Sequence, residues 1–229
     1  MNTPGSANPL TRLIEEKVVA VVRLPSSRNG LDIAQALVDG GISTIEITLT
    51  TPGATSLIAR IREEIPTATV GAGSVLTCDD VDHCAAAGAQ FLVSPVLEPD
   101  VLRYALDRNL PFCPGTFTPT EANEAWRLGA PLVKIFPAGR LGPKYIADLK
   151  APLPSLRLMP TGGVTAETVV GFLKAGADAV GAGSWLTPSA AVASGDFDQI
   201  RDRATQLRQT VERFDVRAPA ARRKPYGFR

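Results

Sequence analysis

The chain has 229 residues, 45% of them hydrophobic and 21% charged, and its 24 Lys and Arg against 23 Asp and Glu leave a formal net charge of +1. This apolar content excludes a disordered chain, and the near-neutral balance argues against a chain-wide basic field for nucleic acid. The length suits a single α/β barrel, which commonly takes roughly 200–250 residues.

The first ten residues, MNTPGSANPL, carry neither the basic nor the apolar region of a signal peptide. No apolar run approaches the roughly 20 residues that cross a bilayer. The expectation is a cytoplasmic chain with no membrane partner. A short helix is expected before Lys17, lying across the bottom of the fold. Eight short apolar or β-branched runs then follow: 18–23, 44–49, 68–73, 90–95, 111–115, 132–137, 156–163 and 178–184. Between them lie longer amphipathic stretches such as LDIAQALVDGG, TSLIARIREEI, EPDVLRYALDR and TAETVVGFLKAGA. Gly40-Gly41, Gly88, Gly129 and Gly176 fall just before strands, where helix C-caps belong. Strand alternating with helix predicts parallel βαβ units, and eight of them predict a single-domain (β/α)8 TIM barrel over residues 1–216. A doubly wound open sheet is the alternative, but no GxGxxG opens the first helix.

The C-terminal stretch VRAPAARRKPYGFR holds Arg217, Arg222, Arg223, Lys224 and Arg229 and no acid. Without those five, 19 basic residues face 23 acidic ones, so the body is near −4. Residues 217–229 are expected to form a flexible basic tail. Cys78, Cys84 and Cys113 are odd in number and fit reduced thiols. Cys78, His83 and Cys84 lack a second ligand cluster, so a surface helix is expected there and no metal.

Alternation within two strands singles out two charged residues. Ile45, Ile47 and Leu49 form one face of the second strand and Thr44, Glu46, Thr48 and Thr50 the other. The apolar face must meet the helices, which turns Glu46 inward. In the sixth strand Val133 and Ile135 face the helices, turning Leu132, Lys134 and Phe136 inward. A buried lysine and a buried glutamate could be a structural ion pair, although such a pair is expensive. They could equally be a Schiff-base lysine and its proton shuttle, since desolvation favours the neutral amine of a buried lysine. TGG at 161–163 and GAGS at 181–184 follow strands seven and eight, whose loops commonly hold a phosphate in such barrels. Residues 187–195 could supply the short extra helix of that site.

The series VRL (22–24), GGISTIEITLTTPG (40–53), VGAGSVLT (70–77), FLVSP (91–95) and PFCPGTFTPTEA (111–122) continues with LVKIFPAGRLGPKYIADLKAP (132–152), PTGGV (160–164) and GAGSWL (181–186). Together these motifs resemble the 2-keto-3-deoxy-6-phosphogluconate (KDPG) and 4-hydroxy-2-oxoglutarate aldolase family over residues 14–214. The resemblance implies a class I, metal-independent aldolase without cofactor, a (β/α)8 barrel and a homotrimer. It implies Lys134 as the Schiff-base lysine and Glu46 as the general acid/base. Arg23 and Ser74 correspond to groups near the substrate carboxylate, with Ser74 standing where the family usually has Thr. Pro95 and Phe136 correspond to the lining of the pyruvyl pocket. Thr161, Gly162, Gly163, Gly183 and Ser184 correspond to groups around the distal phosphate. Thr50, also at a substrate-binding position, stands where some members have an arginine.

The implied reaction is cleavage of a 2-keto-3-deoxy sugar acid, foremost KDPG, to pyruvate and an aldehyde. The galactonate epimer and 4-hydroxy-2-oxoglutarate are alternative substrates. A sugar-phosphate epimerase or isomerase would use the same loops, and a catalytically silent binding protein could use the same scaffold. Intact Lys134 and Glu46 argue against the latter.

Overall fold

The computed structural model describes residues 9–217. Helix α1 (Pro9–Glu16) precedes β1 (Val18–Val22), α2 (Gly30–Asp39), β2 (Thr44–Thr48), α3 (Ala54–Glu64) and β3 (Thr69–Gly73). Next come α4 (Cys78–Ala86), β4 (Leu92–Val93), α5 (Pro99–Asp107), β5 (Phe112–Cys113), β6 (Gly115–Thr116) and α6 (Pro119–Arg127). The chain ends with β7 (Val133–Ile135), a 3₁₀ turn (Ala138–Arg140), α7 (Gly142–Lys150), β8 (Leu158–Pro160), α8 (Val169–Lys174), β9 (Val180–Ala182), α9 (Ser189–Ser194) and α10 (Phe197–Arg217). The basic segment 218–229 lies outside the described residues.

Every strand pair is parallel, as alternating strands and helices require. The strands form a curled sheet in the order β5-β4-β3-β2-β1-β9, with a second sheet β6-β7-β8. A parallel bridge between Thr161 and Gly181 links the edge of β8 to β9. The fifth expected strand is one run in sequence but two strands in the structure. Pro114 has no N–H to donate, and the ladder breaks there; its carbonyl instead accepts from the Lys134 N–H at 2.9 Å.

Two apolar cores separate the faces of the strands. Ile45, Ile47, Val133 and Ile135 belong to the large core shared with the helices. Val19, Phe91, Val93, Cys113, Leu132 and Met159 form a second core on the concave side. Leu10, Leu13 and Ile14 of α1 join that second core, so α1 closes the end from which the strands start. Helix ends follow local chemistry. Thr77 and Thr118 each close a capping box with Asp80 and Glu121. Gly88, Gly129 and Gly176 turn the chain just past α4, α6 and α8 at φ of 83°, 94° and 102°, a region costly to residues with a Cβ. No helix among the described residues is long and apolar enough to cross a membrane.

The closed end is tied by polar contacts. The Glu16 carboxylate accepts from the Ser43 N–H and from the hydroxyls of Ser43 and Thr44. Arg208 of α10 donates to the Glu16 carbonyl at 2.7 Å, and Lys17 pairs with Asp215 at 2.9 Å. Thr44 is fully buried, so Glu16→Ala strands its hydroxyl. The expected cost is about 1–3 kcal/mol, read as a lowered denaturant midpoint.

Candidate active site

Glu46 occupies the middle of β2, between Val21 of β1 and Gly71 of β3. Lys134 occupies the middle of β7, between Gly115 of β6 and Met159 of β8. Only 1% of Glu46 and 5% of Lys134 is exposed, and Lys134 Nζ stands 3.9 Å from Glu46 Oε1. That separation is an ionic contact, too long for a direct hydrogen bond. Glu46 Oε2 is buried and has no hydrogen-bond partner.

Burial pushes the Glu46 carboxyl pKa above the ordinary glutamate value; the charges of Lys134 and Arg23 pull it back only in part. Such a carboxyl keeps its proton to higher pH than a surface glutamate and can both give and take one. Lys134 Nζ also lies 5.1 Å from the centroid of the Phe136 ring. Thr116 Oγ1 donates to the Lys134 carbonyl at 3.1 Å.

Glycine makes the room for this pair. A Cβ on Gly73 would fall on the Glu46 carboxyl, and one on Gly181 would fall on the Thr161 side chain. Gly73→Ala is expected to destabilise by about 1–3 kcal/mol through overpacking. The check is a denaturant melt, whose midpoint falls in the variant.

The other expected residues gather where the strands end. Ser74 follows β3 directly and holds φ of 62°, a strained backbone for a non-glycine residue. Thr50, exposed beyond β2, shares a 3.0 Å hydroxyl contact with the buried Thr48. Arg23 is exposed just after β1, and its charge still reaches Glu46. Pro95 is half-buried after β4, with its backbone against Gly115. Phe136 is half-buried, and the peptide from Phe136 to Pro137 is cis.

After β8, the Thr161 hydroxyl donates to the Met159 carbonyl at 3.3 Å, and the Thr161 carbonyl accepts from Ala138 N–H at 2.8 Å. Gly162 and Gly163 both have positive φ, 94° and 71°. After β9, the Gly183 carbonyl accepts from Leu186 and Thr187 at 2.8 and 3.1 Å. Among the described residues no backbone carbonyl accepts from the N–H groups of Gly162, Gly163 or Ser184. The extra helix expected near 187–195 is α9. The site thus combines an inner amine–carboxyl pair with two outer loops able to present backbone donors to an anion.

Sequence reasoning took Cys113 only as a reduced thiol and gave it no place near the site. Burial, with the Glu46 charge adding to it, pushes its thiol pKa up to about 12. Alternation could have found it, since Phe112 packs in the outer core and Cys113 in the inner one. Cys78, His83 and Cys84 lie on or within α4 as expected, with His83 exposed and Cys84 buried.

Comparison with known proteins gives the family to which this parallel α/β chain is similar. The family model of KDPG and KHG aldolases matches residues 10–203. The chain belongs to the KDPG and KHG aldolase family. It is 36% identical over 196 residues to the 2-dehydro-3-deoxy-phosphogluconate aldolase of Treponema pallidum, covering 85% of this chain and 93% of that one. A native KDPGal structure superimposes with a TM-score of 0.81 at 31% identity, covering 87% of this chain and 96% of the other. KDPG aldolase from Legionella pneumophila, with pyruvate captured as a covalent carbinolamine, also gives a TM-score of 0.81, at 27% identity, covering 88% and 98%.

Proposed function

We propose that this chain is a class I aldolase that reversibly cleaves KDPG to pyruvate and glyceraldehyde 3-phosphate. The observation that carries the reading is the buried Lys134–Glu46 pair, 3.9 Å apart in a chain of this family. The Lys134 amine adds to the C2 ketone, and Glu46 donates the proton that lets the carbinolamine hydroxyl leave as water. The resulting iminium draws electrons from the C3–C4 bond. Glu46, now a carboxylate, takes the C4 hydroxyl proton, and that bond breaks to release the aldehyde. The enamine left on Lys134 is protonated at C3, and water then frees pyruvate and the amine.

Ser74 and Arg23 anchor the substrate carboxylate, with Thr50 at the rim where some members carry an arginine. Pro95 and Phe136 line the pyruvyl pocket. Thr161, Gly162, Gly163, Gly183 and Ser184 hold the phosphate through hydroxyls and backbone donors. The two sheets are read as one closed (β/α)8 barrel within residues 1–216. The Thr161–Gly181 bridge and the continuity of the chain through Pro114 support that closure. In this reading the enzyme is cytoplasmic and homotrimeric. Leu76, Val96 and Phe117 support association, each 45% exposed on loops after neighbouring strands.

The test is pyruvate release from a panel of donors: KDPG, its galactonate epimer, unphosphorylated 2-keto-3-deoxygluconate and 4-hydroxy-2-oxoglutarate. The highest kcat/KM is expected with KDPG. A higher value with any other donor replaces that substrate assignment.

A further inference from the structure

The loop after β9 is held from outside by a residue that belongs to none of the site motifs. Arg203 of α10 donates from Nη1 to the Trp185 carbonyl at 2.5 Å, and its guanidinium lies 5.5 Å from the centroid of the Trp185 ring. Its neighbour Arg201 pairs with Asp198 and Asp202. Arg203 has no carboxylate partner among the described residues, so its charge is spent on the loop. The other end of the same peptide is also fixed, because the Leu186 N–H donates to the Gly183 carbonyl at 2.8 Å. Ser184 therefore sits between two anchored points, with its own N–H given to no backbone carbonyl among the described residues.

We propose that Arg203 is a positioning residue for the distal anion of the substrate. It pins the Trp185–Leu186 peptide and the indole ring, which fixes the Ser184 N–H and hydroxyl toward the phosphate. A charge-assisted hydrogen bond and a ring contact to one cation are stronger and more directional than a neutral pair. The uncompensated guanidinium also raises the local potential on an otherwise acidic body. The inference rests on the aldolase reading above and deepens it, because it commits the outer subsite to a phosphate dianion over a neutral polyol end.

Arg203→Met keeps much of the bulk and removes the charge and the donor. The expected result is a KM for KDPG raised about 10-fold, the scale of one lost hydrogen bond to a charged group, with kcat changed less than about 2-fold. The inhibition constant of inorganic phosphate rises by a similar factor. Unphosphorylated 2-keto-3-deoxygluconate keeps its KM and kcat, and trapping of pyruvate by borohydride proceeds at the wild-type rate. Arg203→Lys retains the charge and a hydrogen-bond donor group, and restores most of the phosphate-dependent loss. Should the methionine variant fail to fold, the lysine variant alone carries the test, with a smaller rise confined to phosphorylated donor and phosphate. Equal losses on both donors, or phosphate constants that do not move, overturn the role of Arg203. A wild-type enzyme that forms no pyruvate adduct overturns the aldolase reading itself, so the two failures are distinguishable.

Discussion

Borohydride reduction in the presence of pyruvate is expected to attach a stable adduct to Lys134, found by peptide mass mapping, and to no other lysine. Among the described residues Lys134 is the lysine set in a strand, and its amine faces a carboxyl that can supply the proton needed to expel water. Lys134→Met is expected to lose the adduct and to lower kcat/KM on the order of 10⁴-fold or more, the scale on which removing a covalent nucleophile is felt. Folding should survive the change. Glu46 already has a raised pKa, so it can take up a proton where its cationic neighbour is gone and avoid standing as an unpaired buried charge. Thermal melting of the variant checks this. A folded Lys134→Met protein that still releases pyruvate at the wild-type rate removes the Schiff-base mechanism.

Glu46→Gln carries the second large effect, an expected loss in kcat of about 10²- to 10⁴-fold, the range for a positioned acid/base. Lys134 remains in place, so pyruvate is still trapped, only more slowly. That split separates the two roles, because loss of the lysine abolishes the adduct and loss of the carboxyl delays it. A pH series sharpens the assignment. Burial raises the Glu46 pKa in the folded state above the ordinary 4.5. Below 4.5 the group is protonated whether folded or not and contributes no pH dependence to stability. As pH climbs from 4.5 through the raised value, the folded state holds the extra proton, so stability falls over that window. The glutamine variant should lack this decline. Its activity should likewise lack the alkaline limb that marks loss of the acid in the wild type.

Much of this arrangement is legible in the linear chain, for reasons that also set the limit. Alternation alone turns Glu46 and Lys134 to the side opposite Ile45, Ile47, Val133 and Ile135. The two separate cores divide along the same parity, with Leu132 in one and Val133 in the other. Glycines past helix ends are visible because left-handed backbone strongly favours that residue. The split of the fifth strand at Pro114 could be anticipated from its missing N–H, yet the run around it reads as a single apolar strand. Ser74 is different, since a serine has no preference for the positive φ it holds. The clamp of Arg203 on Trp185 joins residues 18 apart, with a loop and helix α9 between the loop after β9 and α10. No local pattern encodes it, because it depends on how α10 docks.

Helix α1 has a consequence for the order of events. Its Leu10, Leu13 and Ile14 pack into the end where the strands begin, so on the proposed mechanism substrate reaches Lys134 and Glu46 from the opposite end. In that mechanism the pyruvyl half of the substrate is bonded to Lys134, and the phosphate end meets the loops after β8 and β9. In the cleavage direction the aldehyde departs first, because the enamine of pyruvate remains bonded to Lys134 until water frees it. In the condensing direction pyruvate must enter and become bonded first, and the aldehyde then caps it. Product-inhibition kinetics should accordingly follow an ordered pattern, because pyruvate stays bonded to Lys134 after the aldehyde has left.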